Sequence, residues 1–145
     1  MDLQRKLCDS LSANGELLEK SGNFSWIDVQ FLQDAKHALI NGRNTLKNSY
    51  IFSYHLDVDE RDRMDVDGRS FHEHELFMEN QRHLELAVEK LSRCIEYEVG
   101  KETSAFPSAC SLNEYKLGII KHTCLVEQRN RVLTDWLAGN LDLLR

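Results

Sequence analysis

The first candidates for chemistry are the histidines and acids of the run His72-Glu73-His74-Glu75. Imidazole and carboxylate groups bind metals, and on a helix two such groups face the same way when they lie three or four residues apart. His72 and His74 are two residues apart, so their rings would diverge. No histidine follows a glutamate at the three-residue spacing of di-iron bundles. The run therefore predicts an exposed first turn of a helix and no metal site.

The acidic segment before that run invites a comparison with calcium-binding loops. If Gly68 took the glycine position of an EF-hand loop, Asp65 and Asp67 would stand at ligand positions. The first ligand position would then be Arg63 and the last would be His74, and a cation at the first position excludes calcium. We interpret residues 57–69 as a solvated connector.

The sequence also gives no support for a catalytic nucleophile or for a phosphate-binding loop. The four cysteines lie far apart, without the close pairs of zinc modules, and are predicted to be small, mostly buried thiols. Cys124 and His122 are two residues apart and would not face each other on a helix. Glycine-rich phosphate loops and the G-x-S-x-G motif are absent. The chain alone is predicted to hold no catalytic residue and no cofactor.

Three helix starts share a serine followed by an acid three residues later, at Ser25, Ser70 and Ser111. Each precedes apolar residues at helical spacing. The patterns predict helices from 25 to near 55, from 70 to near 99, and from 111 to the chain end. Asn41-Gly42 interrupts the first pattern, so a hairpin break there is the rival interpretation.

A shorter leucine pattern at Leu3, Leu7, Leu11 and Leu18 predicts one more helix, which stops at residues 21–23. The chain is therefore predicted to be an all-α four-helix bundle with long amphipathic helices. Residues 1–22 would form the N-terminal helix and turn, and residues 23–145 the main domain, packed together as one compact unit. Polar connectors are predicted at about 57–69 and 100–110.

Composition and charge indicate which kinds of molecule the protein does not bind. The net charge is −6, and residues 57–75 alone contain eight acids and three bases. This charge argues against nucleic acid, which needs a basic face. The polar N-terminus is unlike a signal peptide, and no apolar run approaches the roughly 20 residues that cross a bilayer. We expect a protein of the cytoplasm, and of the nucleus as well, without a membrane partner.

Polar residues interrupt two of the apolar stripes. Asn80 and Gln81 put amides on or beside the stripe of the third predicted helix, and residues 127–131 place five polar side chains in the last one. Because buried polar groups are costly without partners, these interruptions suggest a hydrated interface or a surface covered by another domain. A simple solvated stretch of helix is the alternative.

Three segments, taken in order, resemble the Ariadne domain, the helical C-terminal module of Ariadne-type RING-between-RING (RBR) E3 ubiquitin ligases. Residues 43–56 are similar to the family's arginine, leucine and alternating aromatic residues at a helix end. Residues 76–92 are similar to its pattern of phenylalanine, glutamine, Leu-Glu and Glu-x-Leu-Ser. Residues 124–133 resemble its late glutamate followed by arginines. The resemblance implies an Ariadne-like helical domain over residues 23–145.

The resemblance implies that the domain regulates its parent protein through protein–protein contacts. In the family, this domain covers the RING2 catalytic cysteine, and docking to neddylated cullin–RING ligases relieves the inhibition. Carried over by position, the contact residues are Phe77, Met78 and Glu127. The family has an acid where this chain has Met78, and the nearest acid here is Glu79. We expect Arg131 to lie nearby as a charge partner. The predicted partners are therefore RING2 of the same protein and a neddylated cullin–RING complex. The parent protein would be an RBR-type ubiquitin transferase whose zinc-binding catalytic modules are absent here.

Two alternatives belong to other classes. A free-standing helical scaffold or adaptor, unrelated to ubiquitin, would also fit an amphipathic bundle that binds a partner helix in a groove. A metal-binding or enzymatic bundle ranks third, because the sequence offers it no motif.

Overall fold

The structure is a computed structural model of the 145-residue chain. It describes Arg5, Lys6, Asp9, Ser12 and Ala13, and residues 26–62, 69–99 and 109–140. Within the long helices it describes the side chains of residues 30–55, 74–96 and 113–140.

Three long helices make up the described domain: α1 (Trp26–Asp62), α2 (Arg69–Val99) and α3 (Ala109–Gly139). The prediction of an all-helical fold is confirmed, and the described residues contain no strand. The prediction of a fourth helix is not confirmed. Its five described residues are helical, and Lys36 Nζ lies 3.5 Å from Ser12 Oγ, but most of residues 1–22 lie outside the described part, as does the proposed boundary at residue 22.

Helix α1 runs without interruption through Asn41 and Gly42, so the rival interpretation of a hairpin break is wrong. Gly42 is buried and faces side chains of both α2 and α3. A Cβ atom built on it would lie 2.8 Å from Val88 Cγ2 on α2 and 3.2 Å from Val126 Cγ1 on α3. This glycine therefore serves close helix packing and not a turn.

The acidic connector begins later than predicted. We expected α1 to end near His55 and a solvated connector to start at residue 57, whereas the helix continues to Asp62. The chain has no proline or glycine between residues 43 and 67, so no residue in this stretch opposes continuation of the helix. Residues 63–68, the first half of the loop compared with a calcium site, lie outside the described residues.

Helix α2 matches its predicted extent closely, whereas α3 matches only its predicted start, because it ends at Gly139 and not at the chain end; residues 141–145 lie outside the described residues. Helix α2 was predicted from Ser70 to near Val99 and spans Arg69–Val99. Helix α3 begins at Ala109, two residues before the predicted serine start, which is within the usual uncertainty of helix boundaries. The second connector, with Pro107, lies outside the described residues at 100–108.

Cross-helix contacts fix the topology as up, down, up. Ser53, late in α1, lies near Met78, early in α2, and Arg43, earlier in α1, donates a hydrogen bond to Ser92, later in α2. The two helices therefore run antiparallel. Phe31 meets Tyr115 near one end of α1 and Phe52 meets Trp136 near the other, so α1 and α3 are parallel.

One core runs the length of the bundle. Its fully buried large side chains come from all three helices: Leu32, Leu39, Phe77, Leu84, Leu91, Ile95, Ile119, Val126 and Leu133. At a typical hydrophobic free energy of about 25 cal/mol per Å² of buried apolar surface, such a core is the main stabilising term. None of the described helices combines the length and hydropathy needed to span a membrane.

Candidate functional site

The residues first considered for metal chemistry do not form a metal-binding cluster in the described part of the chain. Nowhere among those residues do three histidine, cysteine, aspartate or glutamate side chains come together. His74 is half-buried near the start of α2, whereas the side chains of His72 and Glu73 lie outside the description. Cys94 is half-buried, and Cys124 is exposed, contrary to the prediction of mostly buried thiols.

Phe77, the first residue implied by the family resemblance, lies inside the bundle. Its side chain is 0% exposed. Its ring centroid is 4.6 Å from that of Trp136 on α3 and 5.6 Å from that of Phe52 on α1. Phe52 and Trp136 pack edge to face at 5.8 Å. We call Phe52, Phe77 and Trp136 the aromatic cluster, and it joins the three helices at one end of the bundle.

Met78 is exposed and faces the α1 side of α2. Its side chain is 43% exposed, and its sulfur lies 3.8 Å from the hydroxyl of Ser53 on α1. At this position a flexible thioether stands beside a hydroxyl group.

Glu79 lies on another side of the same helix. It is exposed, and one of its carboxylate oxygens is 3.9 Å from Nε2 of His83, one turn further on. His83 precedes Cys94 by eleven residues, close to three turns, and Cys94 lies beside Gly118 of α3. Glu79 lies on the outer face of α2, opposite buried Val88, whereas Met78 lies toward α1.

Glu127 and Arg131 are both exposed and lie one turn apart on α3. Glu127 follows Lys116 by eleven residues, which brings both to about the same side of the helix. The Lys116 ammonium lies 5.8 Å from the ring centroid of Phe31 on α1. Glu127 is thus on the α1 side of α3.

The structure separates the residues proposed as one interface. Phe77 is in the core, Met78 lies on the α1 side of α2, and Glu79 lies on the outer face of α2. Glu127 lies on the α1 side of α3. Met78, Glu79, Glu127 and Arg131 are accessible to a partner, while Phe77 supports Met78 and Glu79 from behind. Their role as a partner interface stays a prediction.

The polar interruptions of the two stripes have different explanations. Gln81 is 3% exposed, and its Nε2 donates to Ser49 Oγ at 2.8 Å, so this amide is a bonded core residue. On α3, half-buried Asn130 continues the stripe between Val126 and Leu133. Its buried Oδ1 has no hydrogen-bond partner among the described residues, so it can accept a bond from water.

Sequence reasoning missed two polar links between α1 and α2. Arg43 donates to Ser92 Oγ at 3.0 Å, and Tyr50 donates a hydrogen bond to the carboxylate of Glu85. Partial burial, the charge of Glu85 and this hydrogen bond together raise the pKa of the Tyr50 phenol above its usual 10.0. No periodic signal marked either pair, because their members are far apart in sequence.

Comparisons with known proteins give relatives of one kind. The chain is 35% identical to the E3 ubiquitin-protein ligase dbl4 of Schizosaccharomyces pombe over 124 residues, 86% of this chain and 21% of that protein. It is 32% identical to E3 ubiquitin-protein ligase ariadne-1 of Drosophila melanogaster over 105 residues, 72% of this chain and 18% of the relative. The chain thus spans about a fifth of the length of these relatives. No solved structure matches it with significant similarity.

The sequence also matches a family model, that of the Ariadne domain, over residues 2–128. This match includes all of α1 and α2 and the greater part of α3. The match extends over most of the sequence, and the relatives are E3 ubiquitin-protein ligases. The chain belongs to the Ariadne domain family.

Proposed function

We propose that this domain regulates an RBR-type E3 ubiquitin ligase by binding its RING2 catalytic domain and covering the catalytic cysteine. Docking of the domain to a neddylated cullin–RING ligase would release RING2. The observation that carries the proposal is the family match over residues 2–128, together with relatives that are E3 ubiquitin-protein ligases, of whose length the aligned part of this chain covers about a fifth. In this view the catalytic modules belong to the rest of the parent protein, and it acts in the cytoplasm and the nucleus.

The exposed residues Met78, Glu79, Glu127 and Arg131 support a protein-binding role. They present one thioether, two carboxylates and one guanidinium group on a rigid helical scaffold. Since they lie on different sides of the bundle, we assign the RING2 contact to Met78 and Glu79 on α2. Glu127 and Arg131 on α3 are assigned to a second contact with the same partner or with the cullin complex. Phe77 holds the α2 contact in position and does not itself touch the partner.

The first experiment measures ubiquitin discharge by the full ligase that carries this domain. Glu79→Lys together with Glu127→Lys should raise discharge in the absence of a cullin complex, because both exposed carboxylates reverse their charge. Glu114→Lys is the matched control, since Glu114 is also an exposed acid on α3. Unchanged discharge in the double variant would remove Glu79 and Glu127 from the inhibitory contact.

The second experiment tests the docking step with the 145-residue chain as bait. We expect it to retain neddylated cullin–RING complexes more strongly than unmodified ones. Equal retention, or none, would favour a scaffold that does not distinguish the two forms of the cullin.

A further inference from the structure

The contact between α1 and α2 differs in chemistry from the contacts that α3 makes. Gln81 of α2 donates a hydrogen bond to Ser49 of α1, and Arg43 of α1 donates one to Ser92 of α2. A third hydrogen bond joins Tyr50 of α1 to a carboxylate of α2. We call this contact the polar seam, and it is formed by Arg43, Ser49 and Tyr50 on α1 and by Gln81, Glu85 and Ser92 on α2.

The apolar contacts between α1 and α2 also involve α3. Phe52 of α1 and Phe77 of α2 both pack on Trp136 of α3. Gly42 of α1 faces valine side chains of α2 and α3 at the same place. Among the described residues, the packing between α1 and α2 is the least extensive of the three helix pairs. Helix α3 therefore holds both other helices by apolar contacts, while the polar seam joins them to each other.

Opposite charges lie along the two sides of the polar seam. The side of α1 that faces α2 contains three bases at helical spacing: Lys36, Arg43 and Lys47. The side of α2 that faces α1 contains three acids at helical spacing: Glu85, Glu89 and Glu96. Because the two helices are antiparallel, the row of bases runs opposite the row of acids. Like the buried hydrogen bonds, these charges can interact with water when the helices part.

Separation of α1 from α2 costs less than separation of either helix from α3. Hydrogen-bonding groups that are freed at the polar seam bond water instead, so each bond contributes little net free energy. Parting a helix from α3 would expose fully buried apolar side chains such as Leu84, Val126 and Leu133. Local opening in proteins occurs where apolar burial is small. The polar seam is therefore the place where the bundle opens first.

We propose that α1 and α2 separate along the polar seam while both stay packed on α3, so that the domain has a closed and an open state. The sulfur of Met78 lies 3.8 Å from the hydroxyl of Ser53 across the same two helices, so opening changes the surroundings of this residue. One consequence rests on the proposed function: RING2, bound through Met78 and Glu79, selects the closed state.

The test measures thiol labelling of the 145-residue chain by iodoacetamide. Ser49→Cys reports on the polar seam, since Ser49 is fully buried there. Thr123→Cys is the matched control, because Thr123 is also a buried hydroxyl residue but lies two turns after Lys116, on the side of α3 that faces α1. Serine replaces the four native cysteines in both variants. Urea denaturation of each variant gives the labelling rate that global unfolding alone allows, so a loss of stability caused by the substitution is included.

The two thiols should behave differently. We expect the thiol of Ser49→Cys to react at least about tenfold faster than global unfolding allows, and that of Thr123→Cys to react at the global rate. Glu85→Lys should increase the excess at Ser49→Cys, because it removes the acceptor of Tyr50 and puts a cation in the row of acids. Glu114→Lys, at an exposed acid of α3, should not. Labelling of Ser49→Cys at the global rate, or an equal excess at both thiols, would overturn the proposal.

A second measurement tests the link to RING2. RING2 of the parent ligase is added to the Ser49→Cys variant, and calorimetry measures its binding under the same conditions. Bound RING2 should slow the labelling, because binding to the closed state lowers the population of the open one. Binding without slower labelling would overturn the selection of the closed state. Absence of binding would instead contradict the proposed function, whereas excess labelling of the free chain would still establish the opening.

Discussion

Gln81 on α2 donates a hydrogen bond to the hydroxyl of Ser49 on α1, with 2.8 Å between Nε2 and Oγ. Ser49 in turn donates to the backbone carbonyl of Leu46, at 2.7 Å. Ser49 is 0% exposed and Gln81 is 3% exposed, so both polar groups lie within the core. This chain of bonds fixes the register of the two antiparallel helices, because a shift by one residue would leave buried polar groups unpaired.

Removal of Ser49 should therefore cost more than removal of an ordinary serine. We expect Ser49→Ala to lower the free energy of unfolding by about 1–2 kcal/mol, because the buried amide of Gln81 loses its acceptor. Combined with Gln81→Met, the total loss should be smaller than the sum of the single losses, since both polar partners are then gone. Urea denaturation measures all three variants. Ser53→Ala is the control and should change stability by less than about 0.5 kcal/mol. Strict additivity in the double variant would contradict the coupling.

Gly42 of α1 and Gly118 of α3 offer a test of helix packing. Gly42→Ala should destabilise the domain by about 1–2 kcal/mol, because overpacking against Val88 and Val126 outweighs the better helix propensity of alanine. Gly118→Ala should be neutral or stabilising by up to about 1 kcal/mol, since its Cβ would lie 3.7 Å from Cys94 Sγ, an ordinary contact. Thermal unfolding followed by circular dichroism compares the two. A more stable Gly42→Ala variant would show that the helices can separate there without cost.

Phe77 and Met78 should differ sharply although they are neighbours in sequence. Phe77→Ala should cost about 3–5 kcal/mol, because it empties the centre of the aromatic cluster. Met78→Ala should cost less than about 1 kcal/mol, since this side chain lies at the surface and is already 43% exposed. Denaturant titration of the purified chain measures both values. An activity test that uses Phe77→Ala would therefore mix the effect of a less stable fold with the effect of a weaker contact with the partner. A small effect of Phe77→Ala would instead place this ring outside the stable core.

The link between Tyr50 and Glu85 predicts a specific dependence on alkaline pH. The folded state raises the pKa of Tyr50 above 10.0, so it binds the phenol proton more tightly than the unfolded state does. This contribution to stability is complete below pH 10 and is lost as the pH rises through the higher folded pKa. NMR of ring-labelled tyrosine measures the titration. Glu85→Gln should move the pKa of Tyr50 down toward 10, and Tyr50→Phe should remove the associated loss of stability. An unchanged pKa in Glu85→Gln would leave burial as the sole cause.

Periodicity predicted the helices well because apolar residues lie at every third or fourth place along each of them. Periodicity did not predict the helix at residues 57–62, because this charged stretch has no apolar stripe. The helix nevertheless continues there, since no proline or glycine interrupts it. Gly42 was ambiguous for a different reason. Its role depends on Val88 and Val126, which are distant in sequence, and only the packed structure shows how close they are.

The candidate site could be predicted only in part. Family resemblance pointed to residues 77–79 and Glu127, but the sides on which they lie depend on how α2 and α3 rotate against α1. A shift of one residue turns a side chain by about 100° on a helix, which separates buried Phe77 from exposed Met78 and Glu79. Tyr50 and Tyr54 continue the three- and four-residue spacing of Leu39, Gly42 and Leu46, which favours a place in the core. In the structure both tyrosines are exposed, and Ser49 and Phe52 are buried instead.

The aromatic cluster gives this domain an intrinsic optical reporter of partner binding. Trp136 touches both Phe52 and Phe77, and Phe77 shares a peptide bond with exposed Met78. A partner that displaces the backbone at Met78 must shift the ring of Phe77 and so alter the surroundings of the indole. In a variant with Trp26→Phe, the fluorescence of Trp136 alone can follow that event in real time without any attached dye.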